Sequence, residues 1–330
     1  MKVMIVGGTG NISTSIVALL LKEGHSVVCF NRGKTTAEPL PPEVKQLHGD
    51  RHDRAAFEAA MQAEKPDAAM DMVGFTAEDA ESDLRAFPEV NRLVFCSTAC
   101  VYGVQTEYLP IREDAPLHPT TPYGRGKMEA EKVLRAAWFH AGYPVTILRP
   151  SSTYGNQVGL IGSIGANSVW LDRIKKGKPV LVCGSGNNPH QFLHVRDAAA
   201  AFVGALQAPV CLGGVYNLVG QGFTEWNTWH RTGMRLLGRE VPLLGVPLDL
   251  LEALGGEKFG YACEIFGYNI YYDHTAIYRA LPGWRPQVSL EDGMREVIEW
   301  CERHDTIPHC EDYPLEDALA SAMLELRHLR

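Results

Sequence analysis

Short apolar runs alternate with longer amphipathic stretches over the first half of the chain. Residues 3–6 and 26–30 predict buried strands. Between them, residues 12–23 carry apolar side chains at helical spacing and stop at Gly24. Residues 44–48 are strand-like, 55–64 predict a helix, and 68–73 and 92–96 predict strands. A helix over 125–141 and a strand over 145–148 follow. Strands alternating with helices point to a parallel sheet covered on both faces.

The second half is less regular and is punctuated by Gly and Pro. Residues 197–206 predict an amphipathic helix and 215–219 a strand. Residues 289–303 predict a closing helix, whose Ser-Leu-Glu-Asp start suits an N-cap and an acidic first turn. Residues 241–272, rich in Leu, Gly and aromatics, are expected in a smaller lobe. The expected fold is therefore α/β: a doubly wound parallel sheet on residues 1–155, helped by about 190–220, with a substrate-binding lobe and closing helices over 156–330.

Charge narrows the partners. Lys and Arg total 31 against 39 Asp and Glu, a net charge of −8. Nucleic acid is not an expected partner, because phosphate neutralisation needs a basic face. The basic stretch 173–178 reads as a solvated helix end. Eight cysteines without a CxxC pair predict reduced thiols in the cytoplasm and no metal site. No 18-residue apolar run predicts a membrane span, and the N-terminus reads as a strand entering glycines, not as a secretion signal.

Gly7, Gly8, Thr9, Gly10, Asn11 and Ile12 join the first strand to the first helix. Glycines there let the backbone approach a pyrophosphate, and the helix N-terminus offers free N–H groups. Ser13 replaces the third glycine of G-x-G-x-x-G, which should loosen helix–strand packing. The second strand ends at Asn31 and Arg32, with Lys34 beyond, where a carboxylate would hold the ribose of NAD. Its absence, with an arginine at hand, favours NADP over NAD. Asp50 either reaches the adenine or caps the next helix.

Tyr123 and Lys127 lie four residues apart, on one face of a helix. A phenol acting as a base near neutrality must lose about three units from a pKa near 10, roughly 4 kcal/mol. A neighbouring ammonium and an oxidised nicotinamide supply the positive charge. Ser97 and Thr98 put hydroxyls just past the carboxyl end of strand 92–96, where parallel sheets place their sites. A hydroxyl there can hold a substrate oxygen while Tyr123 moves the proton.

In these segments, and in Leu148-Arg149-Pro150 through Gly155, 192–197, 215–218 and Gly283-Trp284-Arg285-Pro286, the chain resembles the extended short-chain dehydrogenases/reductases, the epimerase/dehydratase group. The resemblance covers nearly the whole chain. It implies a Rossmann-type fold and a homodimer acting on a sugar or sugar-nucleotide-like alcohol or ketone. Thr98, Tyr123 and Lys127 would be catalytic, with Lys127 also holding the nicotinamide ribose. His194 would be structural.

The departures are informative. Dehydratases of the group carry an acid pair where this chain has Ala99 and Cys100, so dehydration is not expected. Cys100 resembles the thiol that exchanges a carbon-bound proton in an epimerising reductase; the alternative is that it packs beneath the cofactor. Ser152, His190 and Gln191 replace an Asn, an Arg and an acid of the nucleotide-sugar clamp. Either the substrate is not a common nucleotide sugar or it is held differently. The competing reading is a non-catalytic dinucleotide sensor or RNA-binding protein, because residues 30–33 resemble atypical chloroplast stem-loop RNA-binding members. Those members commonly lose the Tyr/Lys pair, which is present here.

Overall fold

The computed structural model describes residues 1–34, 39–156 and 158–328. Its centre is a parallel sheet of β1 (Lys2–Val6), β2 (Ser26–Asn31), β3 (Lys45–His48), β4 (Ala68–Asp71), β5 (Arg92–Cys96), β6 (Val145–Pro150) and a last strand, Val215–Leu218. The spatial order is Val215–Leu218, β6, β5, β4, β1, β2, β3. The order reverses at β1, so a crevice opens there at the carboxyl ends of the strands.

Alternate residues of β1 feed two cores, as a two-residue period requires. Val3 and Ile5 pack with Ile16, Val17 and Leu20 of α1 (Ser13–Lys22). Met4 and Val6 pack with Phe57 and Met61 of α2 (Arg54–Glu64). α3 (Ala77–Ala86) joins α2 and α4 (Pro122–Ala141) on that second face. After α5 (Val169–Lys176), α6 (Val195–Gln207) returns to pack beside α1. The remaining chain builds a third core around Trp170, Tyr154, Met294 and the two tryptophans Trp226 and Trp229 of α7 (Trp226–Leu237).

Several expectations need correction. The helix expected over 125–141 starts at Pro122, because the Thr121 hydroxyl accepts from Gly124 N at 2.9 Å and Pro122 presets the first turn. The helix after Ser289 does not close the fold, since a further helix, Pro314–His328, follows it. The basic stretch 173–178 is not simply solvated: Arg173 is 1% exposed and donates to Asp317 at 2.8 Å. Ser13 does not loosen α1, whose Ile16, Val17 and Leu20 are inaccessible to solvent. No helix among the described residues is long and apolar enough to cross a membrane.

Candidate active site

The turn after β1 places Gly7 at φ +87°, a left-handed backbone that favours glycine. Gly8 is required for a different reason: a Cβ there would lie 2.4 Å from Cys29 Sγ on β2. The loop leads into α1, whose N-terminus has no side-chain cap. A cavity of about 430 Å³ opens above it. Gly7, Thr9, Gly10 and Asn11 line one side, and Asn31, Arg32, Lys34 and Asp50 line the other. Gly8 and Ile12 are packed away from it; Ile12 is 8% exposed. Asn11 Oδ1 and Asn31 Nδ2 are buried without a protein partner. Unsatisfied polar groups beside a glycine turn and an uncapped helix start fit a dinucleotide.

Asp50 does not cap α2. Asp53 does, accepting from Ala56 N at 3.3 Å. Asp50 accepts instead from the His52 amide and ring, each at 2.9 Å, which holds its carboxyl below the usual range.

A second cavity, about 360 Å³, contains Thr98, Cys100 and Tyr123. Thr98 Oγ1 accepts from Cys100 N at 3.2 Å, which starts the tight turn Ala99–Tyr102. Thr98 and Tyr123 line the same cavity. The Phe75 ring, on the wall of the first cavity, lies 6.0 Å from the Tyr123 ring on the wall of the second. The two cavities therefore abut at this pair of rings.

Lys127 is 1% exposed and donates to the Cys96 carbonyl. Its Nζ is 4.8 Å from the Phe75 ring centroid and 5.9 Å from that of Tyr123. Burial pushes the ammonium pKa down, and the Asp71 carboxylate works against that fall. Burial pushes the Tyr123 phenol above its ordinary value. It also raises the Cys100 thiol, and no cation offsets the rise.

The sequence reading missed what lies under Lys127. Arg51, on the wall of the first cavity, meets Asp71 at 2.7 Å, Asp83 at 3.1 Å and Asp79 at 3.3 Å. Asp71 at the carboxyl end of β4 was the available signal, since an acid ending a buried strand needs a partner.

The clamp positions are equally specific. His190 bonds Ser152 Oγ at 2.6 Å and stacks on Trp226, and burial pushes its pKa down to about 3. Gln191 staples Gly220 O and Tyr272 O through its amide nitrogen. His194 caps α6 through Arg196 N at 3.3 Å. Away from the site, Asp172, Cys310 and Glu311 cluster as metal ligands would, but Lys176 Nζ bonds both carboxylates.

The sequence profile of the NAD dependent epimerase/dehydratase family matches residues 3–218. The chain belongs to that family. Among its relatives, the chloroplast stem-loop binding protein of 41 kDa b from Arabidopsis thaliana is 28% identical, covering 99% of this chain and 86% of its own. The 2'-dehydrokanamycin reductase of Streptomyces kanamyceticus is 29% identical, covering 94% and 87%. The crystal structure of UDP-glucose 4-epimerase from Thermotoga maritima superposes with a TM-score of 0.75 at 20% identity, covering 92% of this chain and 99% of that one. That superposition shows the shared Rossmann-type fold.

Proposed function

We propose that this family member is an oxidoreductase or epimerase acting on a secondary alcohol, or its ketone, in a sugar-like substrate, with Tyr123 as acid and base. The observation that carries the reading is the meeting of Thr98 and Tyr123 in one cavity, with the Lys127 ammonium 5.9 Å from the centre of the Tyr123 ring. Gly7, Thr9, Gly10 and Asn11 would hold the dinucleotide pyrophosphate, and Arg32 with Lys34 favours NADP over NAD. A bound oxidised dinucleotide would supply the hydride acceptor and positive charge to favour the phenolate.

The chain's own residues handle the proton. Thr98 orients the substrate hydroxyl and Tyr123 takes its proton. With its pKa above 10, the phenol must fall by at least three units to act near neutrality, about 4 kcal/mol or more of electrostatic stabilisation. Lys127 contributes as long as it stays charged, and Asp71 opposes the burial that would neutralise it. Cys100 faces the substrate as a protonated thiol. Ala99 and Cys100 bring no carboxyl, which supports epimerisation or reduction over dehydration. Eight free cysteines suit a reducing, cytoplasmic setting.

Replacement Tyr123→Phe tests the reading: dinucleotide binding is retained and turnover falls at least about a hundredfold. Near-normal turnover sinks it.

A second reading, RNA binding, draws on the plant relative, whose likeness spans almost the whole chain. A net charge of −8 and the retained Tyr123 and Lys127 speak against it. Retention of a stem-loop RNA on a filter at moderate salt would support it.

A further inference from the structure

We propose that the substrate is an unphosphorylated polyol, a sugar or cyclitol without a diphosphate handle. This rests on the redox reading above and narrows its substrate class.

A diphosphate is recognised by arginine forks or lysine point charges in partly desolvated walls. Among the described residues lining the second cavity there is no Lys or Arg. The nearest candidates are committed elsewhere. Lys127 turns its ammonium to the Cys96 carbonyl. Arg149 is 1% exposed and held by both oxygens of Glu131, at 2.9 and 2.6 Å. His190 is neutral, stacked on Trp226.

The neighbouring chamber does not supply the missing charge. It meets the second cavity at Gly165 and Gly260, which line both. Among the described residues lining it, the one cation, Lys258, is accompanied by two acids, Asp312 and Glu316. A diphosphate entering that way meets no net positive field.

What the cavity does offer suits hydroxyl groups. Ser151 Oγ is buried without a partner, and Ser152 and Asn167 line the same cavity. Tyr261, Phe266 and Tyr272 supply flat apolar faces. At about 360 Å³ the space lies toward the small end of ligand cavities, roughly 300–1,000 Å³.

Calorimetric titration of the dinucleotide-loaded protein with UDP, dTDP and GDP decides the point. Binding no tighter than about millimolar is expected for all three, whereas a micromolar Kd for any of them overturns the proposal. In parallel, free hexoses and cyclitols are offered against nucleoside diphosphate sugars, with the absorbance of reduced nicotinamide as readout. Turnover confined to the unphosphorylated class supports the proposal, and turnover of a nucleotide sugar overturns it. The Tyr123→Phe variant separates this from the redox reading, because diphosphate binding does not need the phenol, whereas turnover on either class does.

Discussion

Arg51 and Asp71 form a buried ion pair, 2.7 Å apart, between the cofactor cavity and Lys127. Burial raises the Asp71 carboxyl, but the Arg51 guanidinium outweighs it and holds Asp71 low. Asp83, buried beside it, goes the other way through burial and the Asp71 charge. Asp71 and Asp83 behave as an ionised acid and a protonated one on Arg51, which also meets a third acid, Asp79, shared with Arg54. Arg51→Met leaves Asp71 and Asp83 buried without their shared guanidinium. Breaking such a pair costs about 3–5 kcal/mol, which urea unfolding measures. A loss below about 1 kcal/mol would mean the pair is not held as described.

The proposed preference for NADP rests on the end of β2. Arg32 and Lys34 share a wall with Asp50, which is tied to His52. Arg32→Ala should weaken NADP about tenfold or more and leave NAD within about twofold. Equal losses for both cofactors would remove the basis for choosing NADP.

Cys100 is a thiol in the proposed substrate cavity with its pKa raised by burial. A base would need the opposite shift. Cys100→Ser is therefore expected to keep turnover within about threefold and to leave solvent-deuterium labelling of the substrate carbon unchanged. Loss of labelling with folding intact would make the thiol a proton carrier after all.

Stability should depend on pH from both sides. Burial pushes His190 and His230 down to about 3 and His194 down to about 4. The unfolded chain binds protons that the folded chain refuses, so stability is complete above about pH 6.5 and declines as pH falls toward these values. Glu316 has the reverse sign. Burial lifts it to about 7, so its contribution is present below about pH 4.3 and is lost as pH rises through 7. Melting temperatures across pH should fall less on the acid side in His230→Gln and less on the neutral-to-alkaline side in Glu316→Gln. Unchanged slopes in both variants would contradict these environments.

The strands and the glycine turn were legible because a buried parallel strand needs an unbroken apolar run, and β1 and β5 supply one. α3 was not. Its Thr76 cap box is visible, but Asp79, Ser82 and Asp83 face inward to bond Arg51 and Glu58, so the buried stripe is polar. The start of α4 was hidden by Gly124 and Gly126, which read as helix breakers. In the structure they allow close approach: a Cβ would lie 2.7 Å from Cys100 O and 2.3 Å from Phe75 O. The glycines that obscure the helix are those that bring it against the site. Thr98, Tyr123 and Lys127 could be named from spacing, whereas Phe75 and Arg51 could not, because only the folded sheet brings them there.

The sheet's outermost strand, Val215–Leu218, pairs with β6 only after the chain has travelled through the other lobe and back. Arg92 of β5 likewise waits for carbonyl partners at Ala205 and Ala208. During synthesis, β6 must therefore stand with an open edge until some seventy further residues have emerged. A fragment ending near residue 155 would keep that edge for good and would be prone to self-association.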